Sequence, residues 1–173
     1  QDGTQVFYPD GEEEGSIYDM LEFEGRYYFA TGNGLYSLKK QDQYNPFEKR
    51  NFTLVENTLG QVWGLDIVDN RLFMGHLNGA FLIEEGKAIQ ISPTNSGTWR
   101  FNSLGNDLMV AGTYFGLDFY KKENNRFKYL KSSSEFLESS RIIEIDYQGQ
   151  IWVSHPYRGI YKIKLDSSFN LTI

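Results

Sequence analysis

QVWGLDIVDNRLFMGHLNGAFLIEEG, residues 61–86, carries three short β-like runs separated by two turn signals. Val62 to Val68 is apolar and partly β-branched, with Asp66 as its one charge. Asp69-Asn70 follow, and residues of this kind tolerate the positive φ that a two-residue hairpin requires. Leu72-Phe73-Met74 is uniformly apolar, as expected of a strand covered on both faces. Gly79 then marks a second turn before Ala80 to Ile83. Connections this short join antiparallel neighbours.

The same plan returns three times, in SIYDMLEFEGRYYFATGNGLYSLKK (16–40), TWRFNSLGNDLMVAGTYFGLDFYKK (98–122) and SRIIEIDYQGQIWVSHPYRGIYKIK (140–164). The shared glycines are Gly34, Gly79, Gly116 and Gly159, spaced 45, 37 and 43 residues apart. The other first turns carry Glu24-Gly25, Gly105-Asn106 and Gln148-Gly149, and the other apolar triplets are Tyr27 to Phe29, Leu108 to Val110 and Ile151 to Val153. Such a period suits a four-stranded propeller blade. Beyond the glycine, Leu35 to Leu38 and Ile160 to Ile163 return to alternation, which predicts a third strand facing more solvent. Fourth strands are expected at Phe52 to Val55, Ala88 to Ile91, Phe127 to Leu130 and Phe169 to Ile173.

The expected fold is therefore all-β: an antiparallel β-propeller fragment of about four four-stranded blades, forming one domain over 1–173. The repeats run approximately over 16–60, 61–97, 98–139 and 140–173. Gln5 to Tyr8 reads as a surplus outer strand, which either belongs to a further blade or closes the ring by pairing with the last one. Ser132 to Ser140 lacks sustained 3.6-residue periodicity and reads as a turn, and the acidic tract 10–14 as a solvated loop.

Composition narrows the function. An aromatic content of 16% favours pleated, half-buried surfaces. A net charge of −6 gives no positive field to gather phosphates, so nucleic acid is not expected as a partner. The chain has no cysteine, which removes disulfides and thiolate metal sites. No apolar run approaches the roughly 20 residues of a membrane helix. The start at Gln1 reads as a mature end or a cut in a longer chain.

Candidate chemistry is sparse. His76 and His155 both precede a repeat glycine, where a propeller presents residues at one face, but two histidines in different repeats make no metal site. No cofactor is expected. The acids Asp66, Asp118, Glu144 and Asp146 occupy different register positions and form no recognisable pair for glycoside cleavage, so an enzyme is not expected. A column of Tyr18, Trp63, Trp99 and Ile142 falls at the start of the innermost strand, which lines the channel. Its flat rings suit sugar stacking or inter-blade packing, with Arg100 and Arg158 as hydrogen-bond donors. Tyr114 and Tyr157, in the turns before Gly116 and Gly159, share both readings.

The fourth repeat resembles the two-component regulator propeller repeat: an acidic residue, a Gly-containing turn, an apolar-Trp-apolar strand, a Gly-Thr pair, then Gly-Leu-Tyr. Asp146, Gly149, Ile151, Trp152, Val153, Gly159, Ile160 and Tyr161 match it. Repeat three keeps Gly112-Thr113 and Gly116-Leu117, and repeat one keeps Thr31 and Gly34-Leu35-Tyr36. His76 stands where Thr is expected, and Ser154-His155-Pro156 replaces the Gly-Thr pair. The resemblance implies a periplasmic sensor region of a hybrid two-component system, anchored to the membrane through a larger parent and recognising a glycan fragment such as an oligosaccharide. The other expectations are a structural propeller that forms a homo-oligomer or packs on neighbouring blades, and, third, a polysaccharide-cleaving enzyme.

Overall fold

The computed structural model describes Pro9 and residues 16–40, 52–105, 107–166 and 168–173. Among the described residues, sixteen strands form four sheets. Blade 1 holds β1 (Ile17–Phe23), β2 (Arg26–Thr31), β3 (Gly34–Lys39) and β4 (Thr53–Leu54). Blade 2 holds β5 (Val62–Val68), β6 (Arg71–His76), β7 (Gly79–Glu84) and β8 (Lys87–Gln90). Blade 3 holds β9 (Thr98–Gly105), β10 (Leu108–Thr113), β11 (Gly116–Glu123) and β12 (Arg126–Ser132). Blade 4 holds β13 (Ile142–Ile145), β14 (Ile151–His155), β15 (Gly159–Leu165) and β16 (Leu171–Thr172). Every sheet is an antiparallel meander in chain order. Among the described residues there is no α-helix, and 133–140 is a connection. Gln5 to Tyr8 and the tract 10–14 lie outside the described residues.

Local chemistry explains the turns. Glu24-Gly25 (φ 48° and 73°) and Asp69-Asn70 (φ 51° and 56°) take left-handed conformations, whose twist matches that of the flanking strands. The four repeat glycines all have positive φ, from 85° at Gly116 to 142° at Gly34, a region where a Cβ is penalised. Beside each lies a capping side chain. Thr31 Oγ1 accepts the Asn33 amide and Thr113 Oγ1 the Phe115 amide, at 3.1 and 3.2 Å. In blades 2 and 4 histidine takes that place: Nδ1 of His76 accepts the Asn78 amide at 3.0 Å, and Nδ1 of His155 the Tyr157 amide at 3.2 Å.

Three apolar cores lie between consecutive blades. Tyr28, Leu35, Leu65, Met74 and Phe81 join blades 1 and 2; Phe73, Phe101, Met109 and Tyr120 join blades 2 and 3; Leu117, Phe119, Ile143, Val153 and Ile163 join blades 3 and 4. Close approach depends on glycine. A Cβ on Gly75 would run into the Trp99 and Thr98 carbonyls, and one on Gly112 into the Ser140 carbonyl.

Three expectations change. The third strand is not the solvated one in blades 1 to 3: Leu35, Ser37 and Leu38 of β3 are buried, as is most of β7 and β11, because the next blade covers them, whereas β15 of blade 4 faces solvent as expected. The second strand of blade 4 is not buried on both faces, since Trp152 is exposed between buried Ile151 and Val153. In blade 3 the residues level with Leu72-Phe73-Met74 are Met109-Val110-Ala111, one step on from the triplet read in the sequence.

Two measurements test this packing. Gly112→Ala should lower the stability to urea by roughly 1–3 kcal/mol, the usual cost of forcing atoms into a filled space. Asp118 is buried, and burial raises its carboxyl pKa against the hydrogen bond from Ser132 Oγ (2.6 Å). The folded state thus holds this proton more tightly than the unfolded chain, so its effect on stability is favourable in acid and is lost as pH rises through the folded pKa. Asp118→Asn keeps an acceptor for Ser132; it should raise Tm at pH 7, and the gain should vanish below about pH 4.

Candidate functional site at the channel end of the innermost strands

Three innermost strands carry a bulge at the same place. Ile17 pairs with Thr31 and Asp19 with Ala30, which leaves Tyr18 extra. Val62 pairs with His76 and Gly64 with Gly75, leaving Trp63; Thr98 pairs with Thr113 and Arg100 with Gly112, leaving Trp99. An extra residue kinks its strand and re-aims its side chain. The three rings line up, Tyr18 on Trp63 and Trp63 on Trp99, each with centroids 5.0 Å apart. Tyr114 closes on Trp99 at 4.7 Å, packed over Gly97 where a Cβ would strike its ring.

Blade 4 departs from this pattern. β13 has no bulge, so Ile142 pairs with Ser154 and stands level with Asp19, Gly64 and Arg100 instead of joining the rings. Arg141 takes the ring position, its guanidinium 5.2 Å from the Trp99 centroid. The row therefore ends in a cation–π contact.

Below the rings runs an ionic bridge across three blades. Arg100 donates through Nε and Nη2 to the Asp66 carboxylate, at 3.1 and 2.8 Å, and through Nη1 to Asp19 at 3.1 Å. The carboxylates also accept backbone amides of the next blade: Asp19 that of Leu65 at 2.9 Å, Asp66 that of Phe101 at 2.7 Å. Burial pulls the Arg100 pKa down, but the Asp66 hydrogen bond and charge, with Asp19 and Glu144, more than reverse it. Gly64 makes the bridge geometrically feasible, because a Cβ there would collide with the Arg100 side chain and the Trp99 carbonyl.

Rings and bridge together line a cleft of about 310 Å³, with Arg141, Ile142 and Glu144 on its blade 4 side. Asp66 and Glu144, which looked unrelated in the sequence, share one register position, opposite Phe73 and Trp152. Trp99 Nε1 is tied to Ser139 Oγ at 3.1 Å. Trp63 Nε1 is buried and closes no hydrogen bond of its own. It nevertheless lies near enough to the Tyr114 hydroxyl to offset part of the rise that burial imposes on that phenol.

The expected site residues thus divide. Trp63, Trp99 and Arg100 come together at the cleft, and Tyr114 packs on the Trp99 ring without lining it. His155, Tyr157 and Arg158 form a second group in the β14–β15 turn, where Arg158 Nη1 bonds Glu138 and Tyr157 stands in solvent. His76 is buried against Gly60 and the Phe81 ring; burial lowers its pKa, with the backbone at Leu59 and Thr58 working the other way. Asp19 and Arg141 were missed, because neither repeats in type along the chain. At the other end of the blades a cleft of about 460 Å³ contains Glu24, Asp69 and Lys122, but Lys122 is held by Asp69 at 2.6 Å. Among the described residues no group of His, Cys, Asp and Glu is placed to hold a metal ion.

No family model matches the chain. No curated protein matches it in sequence. Solved structures share its fold. The extracellular domain of BT3049 from B. thetaiotaomicron, described as a hybrid two-component system, aligns with a TM-score of 0.70 and 15% identity over 96% of this chain and 23% of its own length. That of BT4673 from the same organism, described as a one-component system, gives 0.65 and 19% over 93% and 22%. The WD40 β-propeller domain of Doa1 gives 0.59 and 15% over 90% and 53%. The fold is that of a β-propeller. This chain spans less than a quarter of the two sensor domains it matches.

Arg100→Met should lower stability by roughly 1–3 kcal/mol in urea unfolding, as expected when hydrogen bonds to charged groups are lost and two carboxylates are left facing each other. Arg100→Lys should recover only part of it, since an ammonium cannot reproduce the planar fork.

Proposed function

We propose that this chain is the ligand-recognising part of an extracytoplasmic, periplasmic sensor, and that the cleft at the channel end binds a short oligosaccharide. The observation that carries the reading is the set of three bulges that bring Tyr18, Trp63 and Trp99 into one row above Arg100. A bulge repeated at one register position in three blades is more than core packing requires, and bulges are over-represented beside functional sites. Ring edges of Tyr18, Trp63 and Trp99 offer apolar surface to a pyranose, while Arg141, Glu144 and the unused Arg100 protons offer hydrogen bonds to hydroxyls.

Asp19 and Asp66 are engaged by backbone amides and by the Arg100 fork, which supports recognition without acid–base chemistry. Fold similarity to extracellular domains of B. thetaiotaomicron sensors supports the setting. Among the described residues no helix is long and apolar enough to cross a membrane. Recognition is non-covalent. Because the cleft draws on all four blades, an occupant alters how those blades pack and passes the change to whatever adjoins the propeller.

Titrating a panel of neutral and uronic oligosaccharides while following tryptophan fluorescence and Tm tests this. At least one member should perturb the fluorescence and raise Tm. Trp99→Ala should abolish both effects, and Tyr157→Ala should leave them intact. A panel without any effect, or binding indifferent to Trp99→Ala, sinks the proposal.

A further inference from the structure

A buried histidine is coupled through the backbone to the middle ring of the cleft. His76 is 2% exposed and pairs with Val62 across β5 and β6. The next residue of β5 is the bulged Trp63, whose ring lies 5.0 Å from Tyr18 on one side and from Trp99 on the other, and which lines the cleft. The Leu77 amide donates to the Gln61 carbonyl at 2.9 Å, which ties the β6–β7 turn to the same end of β5.

The imidazole can cap that turn only when neutral. Nδ1 accepts the Asn78 amide at 3.0 Å, so the ring proton sits on Nε2. That nitrogen faces Gly60 and closes no hydrogen bond of its own. A second proton on Nδ1 would set donor against donor at Asn78 and place a charge in a buried site. Among the described residues, no charge offsets it. Arg71 and Glu84 stand at the far ends of β6 and β7, Glu56 is paired with Lys87 at 3.0 Å in solvent, and Asp66 on β5 is held by Arg100. Burial therefore dominates and lowers the His76 pKa, against the backbone at Leu59 and Thr58. Blades 1 and 3 make the same cap without a titrating group. Thr31 and Thr113 accept the turn amide through Oγ1 and donate its proton to the Gly34 and Gly116 carbonyls.

We propose that His76 is a proton-operated catch on the cleft: neutral, it caps the β6–β7 turn and holds the Trp63 bulge in the aromatic row; protonated, it releases both. The capped turn binds the second proton more weakly than the opened turn, where water reaches Nδ1. Closure is thus complete above the ordinary imidazole pKa of about 6.5 and is lost progressively as pH falls below it. The row is set for neutral medium and loosens in mild acid. Nothing in the catch depends on what the cleft binds.

Amide exchange and tryptophan emission of the chain, followed from about pH 7.5 to 5, read the outcome. The protection factor of the Asn78 amide should fall by about tenfold per pH unit below the ordinary imidazole range, the slope of a one-proton linkage. The emission should shift over the same interval, and the His76 ring signals should titrate below the ordinary range. His76→Thr supplies the hydroxyl that caps the equivalent turns and should flatten both pH responses. His76→Asn, whose side-chain oxygen stands in for Nδ1, should do the same and guards against a folding defect specific to threonine. His155→Asn should leave both responses unchanged, which assigns them to one of the chain's two histidines. Protection at Asn78 that is flat with pH in the wild type overturns the proposal, as does an ordinary titration of the His76 ring. So does a response that survives the His76 variants or disappears in His155→Asn. A turn that opens in acid while the emission stays constant also overturns it, because the catch then does not reach Trp63.

Discussion

The innermost strand of a radial sheet has no hydrogen-bonding neighbour on its channel side, so amides that point across the channel wall need acceptors from another source. In this chain they come from the preceding blade: Asp19 takes the Leu65 amide and Asp66 the Phe101 amide. Two carboxylates close together in the wall would repel, and Arg100 removes that cost by bonding both. Blades 1, 2 and 3 are thereby fixed at their inner edges, and the aromatic row above them inherits its spacing. The arrangement needs a residue without a Cβ at Gly64, directly in the path of the Arg100 side chain.

Further from the axis the governing constraint is thickness. Blades pack through side chains of both faces at once, and where the next inner strand crosses a second strand there is room for the Ala30 methyl in blade 1 and for no side chain in blades 2 and 3. Gly75 and Gly112 occupy those crossings. Blade 4 has Ser154 at this position, level with Gly112 and facing no further strand among the described residues. Burial and composition agree there, since the blade that no further blade follows among the described residues is also the one whose second strand alternates between buried and exposed residues.

The repeat glycines, the hairpin turns and the apolar second strands were legible because each reflects a local rule about φ or face burial, and local rules leave a periodic trace. The histidines illustrate the limit of that trace. They read as candidate contacts because they precede a repeat glycine at one face of the propeller, whereas an imidazole Nδ1 there serves as the turn acceptor in place of a hydroxyl. The aromatic column was legible for three of its members. Ile142 falls outside the row because β13 lacks the bulged residue that the other inner strands contain, so equal spacing from the turn does not mean equal register there.

The sequence by itself determined the blade plan, its repeat and the direction of each turn, because backbone conformation and strand-face burial are set within a few residues. Only the tertiary structure decided the site. Asp19, Asp66 and Arg100 lie 34 to 81 residues apart along the chain, and no periodicity of residue type marks them, since Asp19 and Arg100 share a register position with opposite charge and Asp66 stands two residues further along its strand. Their meeting follows from the angle and separation at which consecutive sheets pack, which is a property of the whole arc.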